Sequence, residues 1–209
     1  MKKPLILVGG GGHCKSVIDV VESAGYEILG ILDRDKPAGT HILNYEVLGA
    51  DEDIADYIGK AEFLITVGQI KSPGIRKRLQ KMVLDAGGKL ATVVSPTAHV
   101  SKYATIGKGT VVMHQAVVNA DVKIGDGCII NTFSNIEHDV VIGDFCHIST
   151  GAMVNGEAKV GVDSFIGSQS VVCQCVTISD NVVVGAGSVV TKDITNSGLY
   201  VGNPAKFIR

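Results

Sequence analysis

A six-residue repeat runs through the second half of the chain and constrains its fold more than any other feature. Every sixth residue from Val94 to Val190 is valine or isoleucine, without an interruption. The residue four places after each aliphatic, from Ala98 to Ser188, is small or is valine. A fixed period of this kind indicates structural repeats that stack on one another and bury a continuous core.

Each hexad predicts a short strand and a turn, with the aliphatic side chain pointing inward. Three hexads would close a triangular coil, and glycine recurs at the 18-residue interval of such a coil from Gly107 to Gly161. Glycine or asparagine often follows the aliphatic, so we assign the strained turn conformation to that position. Stacking would place Cys128 and Cys146 above one another as small core residues. The spacing alone does not fix the handedness of the coil.

Residues 1–92 follow a different pattern, in which short apolar strands alternate with helices. Strands are predicted at Leu5–Val8, 28–32, 62–67 and 90–94, and helices at 13–24, 51–59 and from Pro73 to about Ala86. This alternation predicts a small, open, parallel α/β domain of the Rossmann-like type over 1–92. A parallel β-helix over 93–209 would follow it.

The charge and cysteine content disfavour several classes of function. Nineteen basic and 21 acidic residues give a net charge of −2, which argues against nucleic acid as a partner. We interpret the basic cluster Arg76-Lys77-Arg78, with Lys81, as a solvated helix face. The N-terminal apolar run is too short for a signal peptide and no stretch approaches transmembrane length, so we expect a cytoplasmic protein without membrane insertion. Five cysteines without zinc spacing predict free thiols and no metal.

The most informative irregularity in the repeat is a histidine. His138 comes just after a corner of the predicted prism and should project outward. Its stacking neighbours 18 residues away, Ala120 and Gly156, are small and would leave room for a ligand beside the ring. A neutral imidazole suits a general base near neutral pH, and Asp139 or Glu137 could hold its tautomer and raise its basicity. A surface histidine beside acidic residues is the competing interpretation.

A second histidine, His147, lies nine residues further on, near a different edge of the prism. It should not touch His138 within one chain. In a trimer, however, the edge of one subunit would face another, and the two histidines could share a groove. A packed polar residue is the competing interpretation.

The glycine run Gly9–Gly12, followed by His13, lies between a predicted strand and a predicted helix. Backbone N–H groups at the helix N-terminus would favour a phosphate. Asp33 ends the next strand, where dinucleotide-binding folds place a ribose-binding carboxylate. The full glycine fingerprint fails because Cys14 occupies its third position, so we expect a nucleotide or sugar diphosphate rather than NAD. A tight turn without a ligand is the competing interpretation.

Six segments carry a resemblance to one known family along nearly the whole chain. They are GGGGHCKSVID, the strand end Leu32-Asp33, ITVGQ, NTFSNIEHD, CHISTG and YVGNPAK. The chain resembles the bacterial sialic acid O-acetyltransferase family, which also holds N-acetyltransferases of nucleotide-linked amino sugars (bacillosamine and perosamine type). The resemblance implies a left-handed β-helix of hexapeptide repeats, a homotrimer, acetyl-CoA as co-substrate and no metal.

The resemblance also implies roles for individual residues. His138 would take a proton from the acceptor amine or hydroxyl as it attacks the thioester, and Asp139 would increase its basicity. The acetyl-CoA contacts would be His147, Gly156, Ser168 and Ala186. The nucleotide-sugar contacts would be Gly11, Gly12, His13, Asp33 and Gly68. Some related enzymes have a second acid after the strand-end aspartate, where this chain has Arg34, so the base or sugar that it recognises could differ.

Three functions remain open from the sequence. The leading one is transfer of acetyl from acetyl-CoA to the amino group of a nucleotide-linked amino sugar in bacterial surface-glycan biosynthesis. The second is O-acetylation of sialic acid or a related sugar. The third is a non-catalytic trimeric scaffold, against which the acid-flanked His138 argues.

Overall fold

The computed structural model describes residues 3–209, and the first part of this range is a sheet flanked by helices. The strands are β1 Leu5–Val8, β2 Ile28–Leu32, β3 His41–Ile42, β4 Tyr45–Gly49 and β5 Glu62–Ile65. The helices are α1 Gly12–Ser23 and α2 Gly74–Asp85, and a 3-10 helix spans Asp51–Tyr57. The strand order is β3-β4-β2-β1-β5, with parallel neighbours except in the β3–β4 hairpin. This confirms the predicted α/β domain.

Two parts of this sheet differ from the prediction. The sequence pattern gives little signal for the β3–β4 hairpin, because only Ile42 and Val47 of its strand residues are buried. The single strand predicted over 90–94 is divided between the two halves of the chain. Leu90 forms an isolated bridge with Phe63, whereas Val93–Val94 already pairs with a strand of the β-helix.

From Val93 onward the chain forms a left-handed parallel β-helix with three faces. The first face consists of Val93–Val94, Val111–Val112, Ile129–Ile130, His147–Ile148, Phe165–Ile166 and Val182–Val184, and it ends in the strands Gly198–Val201 and Lys206–Phe207. The second consists of His99–Val100, Val117–Val118, Asn135–Ile136, Met153–Val154, Val171–Val172 and Val189–Val190. The third consists of Thr105–Ile106, Lys123–Ile124, Val141–Ile142, Lys159–Val160 and Thr177–Ile178.

The inward aliphatic residues form the core of the prism, as predicted. From Val112 to Val190 each of them is at most 4% exposed, and the earlier ones pack against the same cluster. Cys128 and Cys146 are fully buried within it, and burial raises the pKa of the Cys128 thiol to about 12. They are therefore inert core residues at neutral pH. No helix of the described part of the chain is long and apolar enough to cross a membrane.

The prediction for the strained turn position was wrong. Left-handed backbone occurs three residues after the inward aliphatic, as at Phe133 (φ 59°) and Asp139 (φ 62°), and not directly after it. The glycines directly after the aliphatics allow close stacking instead. A Cβ on Gly125 would lie 2.7 Å from the amide nitrogen of Asp144 and 2.9 Å from the carbonyl carbon of Gly143, both in the next coil.

Gly125→Ala is therefore expected to destabilise the protein by about 3 kcal/mol, because rigid backbone lies on the far side of the contact. Gly187→Ala is the matched control, since that glycine has φ 66° and a Cβ there would have nothing within 4 Å among the described residues. It should cost only the left-handed penalty of about 1 kcal/mol. Urea denaturation measures both values, and equal losses would contradict the stacking argument.

Candidate functional site

His138 lies at the corner between the second and third faces and points outward, with its side chain 58% exposed. Its Nδ1 is 2.8 Å from Oδ2 of Asp139. A carboxylate can only accept, so Nδ1 carries the hydrogen and Nε2 presents its lone pair. The hydrogen bond to Asp139 raises the pKa of His138 above its ordinary value, and the charges of Asp139, Glu137 and Glu157 add to this effect. The ring has the orientation and basicity of a general base.

The structure selects Asp139 rather than Glu137 as the partner of His138. The Glu137 carboxylate accepts hydrogen bonds from the side-chain amides of Asn119, at 3.0 Å, and Asn135, at 2.9 Å. It therefore acts on the histidine only through its charge. Asp139 has a left-handed backbone conformation in the turn, and its carboxylate is in contact with the adjacent ring.

The small stacking neighbour Gly156 serves a different purpose from the one predicted. A Cβ at Gly156 would lie 2.7 Å from Cε1 and 2.8 Å from Nε2 of His138. The imidazole thus lies directly over this glycine, and the space expected for a ligand beside the ring is filled by the ring itself. The His138 ring packs against Gly156, and this contact sets the position of the ring.

Gly156→Ala is expected to lower kcat by about tenfold or more, because a displacement of about 1 Å at a catalytic group has effects of this order. The free energy of unfolding should change little, since the exposed ring can rotate away. Gly74→Ala is the control, as a Cβ there would meet only Ser72 Oγ, at 3.3 Å. Thiol release from acetyl-CoA measures the effect, and an unchanged kcat would contradict this role for Gly156.

A pocket of about 530 Å³ lies where β1 enters α1 and brings together all five residues predicted to contact a nucleotide-sugar. Those residues are Gly11, Gly12, His13, Asp33 and Gly68. The N-terminus of α1 opens onto this pocket, and the N–H groups of the first helical turn have no acceptor within the helix. A phosphate group would supply one.

The glycine run shapes this pocket residue by residue. Gly11 and Gly12 open the helix, and a Cβ on either would meet nothing within 4 Å among the described residues. Gly10 is different, because its N–H donates to Oδ2 of Asp33 at 2.5 Å and a Cβ there would collide with Ile42. This bond fixes the Asp33 carboxylate at the pocket wall.

His147 lies between the two halves of the chain rather than in an open groove. It is 7% exposed, its Nδ1 donates to the carbonyl oxygen of Gln69 at 2.6 Å, and its Nε2 accepts from the amide of Asn131 at 3.0 Å. Burial lowers its pKa to about 4, so the ring is neutral at physiological pH. The packed polar interpretation describes this residue, and its ring is not free to share a groove with His138.

Two further residues expected to contact acetyl-CoA, Ser168 and Ala186, lie at one corner of the prism, between the first and second faces. Ser168 and Ala186 follow each other by one coil there, and the Ser168 hydroxyl is 2.9 Å from that of Ser149. Ala186 lines a second pocket of about 520 Å³ beside the C-terminal strands. Gly156 is at a different corner, under His138.

The pocket of the α/β domain and His138 lie on opposite sides of one chain. The α/β domain packs its core against the outward side of the first face, through Val93, Val111 and Ile129. It also bonds to the corner between the third and first faces, where the Gln69 amide reaches the carbonyl of Phe145 at 2.7 Å. In a triangular prism, the corner that carries His138 is opposite the first face. A single chain therefore does not bring base and pocket together.

Comparison with known proteins places both halves of the chain in one family. Residues 4–83 match the model of the PglD N-terminal domain, and 103–136 and 121–156 match the bacterial transferase hexapeptide model. The acetyltransferase domain of PglB from Neisseria gonorrhoeae is 32% identical over 99% of this chain and 100% of that one, with a TM-score of 0.92. A complex of that domain contains acetyl coenzyme A.

The perosamine N-acetyltransferase of Caulobacter crescentus is similar to the same extent. It is 31% identical over 99% of this chain and 97% of that one, with a TM-score of 0.91, in a complex with CoA and GDP-perosamine. This chain belongs to the same family, the hexapeptide-repeat sugar acetyltransferases. The resemblance seen in the sequence is thereby confirmed.

Among the curated proteins, one relative is similar to part of this chain. An uncharacterized protein of Acanthamoeba polyphaga mimivirus is 35% identical over 106 residues, which are 51% of this chain. The chain spans only 20% of the length of that relative. The similarity to the two bacterial acetyltransferases therefore carries the family assignment.

Within this family fold, the interpretation of the basic cluster on α2 was wrong for Arg76. Its side chain is 1% exposed, and its guanidinium donates to the carbonyls of Ile65 at 3.0 Å, Val67 at 2.6 Å and Gly127 at 2.9 Å. Burial lowers its pKa to about 10, which still leaves it charged at neutral pH. The sequence did carry a signal, because Arg76 lies three residues before Leu79 on the apolar side of the helix.

One ion pair in the first pocket could not be predicted from the sequence. Asp51 is 3% exposed, and its carboxylate is 2.8 Å from the guanidinium of Arg78. Both residues line the pocket, as does the exposed Arg34, which lies 3.7 Å from Asp35. Among the described residues, no group of three or more His, Cys, Asp or Glu side chains could hold a metal ion.

Proposed function

We propose that this protein transfers acetyl from acetyl-CoA to the amino group of a nucleotide-linked amino sugar in bacterial surface-glycan biosynthesis. The observation that carries the proposal is the exposed His138–Asp139 pair, with Nδ1 bound to the carboxylate and Nε2 open. The similarity to perosamine N-acetyltransferase, over nearly the full length of each chain, supports the choice of an amine acceptor. The similarity to PglB supports acetyl-CoA as the donor.

The reaction follows from the chemistry of the pair. The amine attacks the thioester carbonyl while Nε2 of His138 takes its proton, and a tetrahedral oxyanion forms. When the oxyanion collapses, the carbon–sulfur bond breaks, and the imidazolium returns its proton to the departing CoA sulfur. Asp139 stabilises the imidazolium from the moment it takes the proton until it gives the proton to the sulfur. The products are an N-acetyl sugar nucleotide and free CoA.

We assign the nucleotide-sugar to the pocket of the α/β domain, residues 1–92, and acyl transfer to the β-helix, residues 93–209. Phosphate oxygens would accept from the first-turn N–H groups of α1 around Gly11, Gly12 and His13. Asp33 would accept a hydrogen bond from the ribose or the base, and Gly68 would allow close approach of the backbone. Ser168 and Ala186 would contact acetyl-CoA. A cytoplasmic location stays a prediction.

We also propose that the working form is a homotrimer, because base and pocket lie on opposite sides of one chain. The outward residues of the second face are mostly apolar, namely Val117, Met153, Val171 and Val189. Those of the third face are mostly polar, namely Thr105, Lys123, Lys159 and Thr177. Packing second faces together would bring one subunit's His138 towards its neighbour's pocket. Sedimentation equilibrium tests this, and a monomeric active enzyme would contradict it.

A thiol-release assay tests the proposed function. Acetyl-CoA is incubated with UDP-, GDP- and dTDP-linked 4-amino sugars, and with free and CMP-linked sialic acids. Turnover of one amino sugar supports the proposal. Turnover of sialic acids alone would assign the protein to O-acetylation. If no sugar of the panel is acetylated and the folded protein does not bind CoA, a scaffold would be favoured.

A further inference from the structure

An exposed aromatic side chain lies in the same coil of the β-helix as His138. Phe133 is 62% exposed and lies at the corner between the first and second faces, in the left-handed turn that joins Ile129–Ile130 to Asn135–Ile136. His138 is at the other end of the same strand, at the corner between the second and third faces. The core of its own chain does not cover the Phe133 ring.

The proposed trimer brings these two corners together from neighbouring subunits. When second faces surround a threefold axis that is parallel to the prism, contacts between neighbours are heterologous, so the Phe133 corner of one subunit meets the His138 corner of the next. Rotation about such an axis leaves height unchanged. The two residues are five apart in a coil of 18, which rises about 4.8 Å, so their heights differ by about 1.3 Å.

The expected acetyl-CoA contacts define the side from which the acyl group arrives. Gly156 lies one coil after His138 at the same corner. Ser168 and Ala186 lie at the corner of Phe133, further towards the C-terminal end. A CoA molecule that touches all three lies between two subunits, and its thioester reaches His138 from the C-terminal side. The acyl group is the end farthest from the nucleotide of CoA, so it arrives at the height of the neighbour's Phe133.

We propose that Phe133 of one subunit closes the acyl end of the site around His138 of the next, and thereby selects acetyl over longer acyl groups. This rests on the proposed function and its trimer. The phenyl ring offers an apolar wall to a methyl group and has no hydrogen-bonding group for a sugar. The extra methylene groups of a propionyl or butyryl chain would collide with the ring. One methylene in such a pocket changes kcat/KM by about tenfold to two-hundredfold.

The Phe133→Gly variant tests this wall. Glycine suits the left-handed backbone of Phe133 (φ 59°), and the same turn position one coil later is already Gly151 (φ 66°), so the variant should fold. Thiol release gives kcat/KM for acetyl-, propionyl- and butyryl-CoA, with the amino sugar nucleotide that the wild type acetylates as acceptor. We expect the ratio of kcat/KM for acetyl-CoA to that for propionyl-CoA to fall by about tenfold or more.

Gln115→Gly is the matched control at the same corner. Gln115 occupies the same turn position one coil earlier, is exposed and has the same left-handed backbone, with φ 57°. It lies on the far side of Phe133 from Ser168 and Ala186, so its removal should keep the wild-type ratio. An unchanged ratio in Phe133→Gly, or an equal fall in both variants, would overturn the role of Phe133.

Mixed trimers test whether the ring comes from the neighbouring subunit. Phe133→Gly and His138→Ala are co-expressed with different tags, and trimers that carry both tags are purified. Every intact base in these trimers belongs to a subunit that lacks the ring. A ratio that returns towards the wild-type value therefore means that the neighbour supplies the ring. A ratio equal to that of Phe133→Gly alone would overturn the intersubunit contact.

The outcomes separate this proposal from the proposed function. If the wild type acetylates an amino sugar nucleotide but Phe133→Gly has the wild-type ratio, the acyl wall is wrong and the proposed function stands. If the wild type acetylates no amino sugar nucleotide, or if no trimer with both tags forms, the proposed function or its trimer is wrong, and the acyl wall is wrong with it.

Discussion

The His138→Ala variant is expected to lose acetyl transfer by a factor of about 10² to 10⁴ in kcat, the usual contribution of a positioned general base. Binding of CoA and of nucleotide should persist, because the pocket that we assign to the nucleotide is lined by residues of the α/β domain and not by His138. Stability should be unchanged, since the side chain is exposed. Thiol release at saturating substrates measures the loss, and calorimetry measures retained binding.

The pH dependence tests the same base through its partner. His138 must be neutral to accept a proton, so activity falls as the pH drops through its pKa. The hydrogen bond to Asp139 raises that pKa above its ordinary value, so the acidic limb of kcat/KM should lie at higher pH than it would for an unpaired histidine. In Asp139→Asn the charge is lost, the pKa falls, and the limb should move to lower pH.

Asp121→Asn provides the control for that shift. Asp121 occupies the same turn position one coil earlier and has the same left-handed backbone, with φ 58°. It lacks the hydrogen bond to His138, so its removal should leave the profile unchanged. A limb that stays in place in Asp139→Asn, or that moves equally in both variants, would contradict the pairing.

The second large effect is expected at the interface between the two domains. Arg76→Met should lower the free energy of unfolding by about 3 kcal/mol, because it leaves three carbonyl oxygens with no guanidinium to accept from. Two of these carbonyls, of Ile65 and Val67, belong to the α/β domain, and that of Gly127 belongs to the β-helix. Loss of the side chain should thus also loosen the contact between the domains.

Lys81→Met is the matched control, five residues further along α2. Its partner is the carboxylate of Asp85, and the two side chains are 73% and 62% exposed, so the change should cost no more than about 1 kcal/mol. Urea denaturation followed by circular dichroism gives both values. Equal stability of the two variants would contradict a structural role for the buried guanidinium.

The sequence predicted the β-helix well because its determinant is a local, repeating pattern. Each inward aliphatic from Val112 to Val190 is buried, and counting in coils of 18 residues placed His138 outward above Gly156. The position of the left-handed turn was missed for a physical reason. A glycine in a sequence can signal either a positive φ or a close approach, and the pattern does not distinguish them.

Contacts between the two halves could not be predicted in the same way. His147 is bonded to Gln69, 78 residues earlier, and that contact depends on how the domains pack. The choice between Asp139 and Glu137 depended on side-chain directions, which the spacing does not give. Arg76 was misread because its charge was given more weight than its place on the apolar side of α2. The five residues of the α/β pocket could be grouped from the sequence because they follow β1, β2 and β5, which are neighbouring parallel strands whose carboxyl ends meet at one edge of the sheet.

The most direct test of the central claim is the mass and the chemical stability of the product. The protein is incubated with acetyl-CoA and the 4-amino sugar nucleotides, the product mass is recorded, and the sample is then treated with hydroxylamine. We predict that one amino sugar nucleotide gains a single acetyl group that resists hydroxylamine, as an amide does, and that His138→Ala forms almost none of it. An acetyl group that hydroxylamine removes, or a product formed equally by His138→Ala, would contradict N-acetylation by this base.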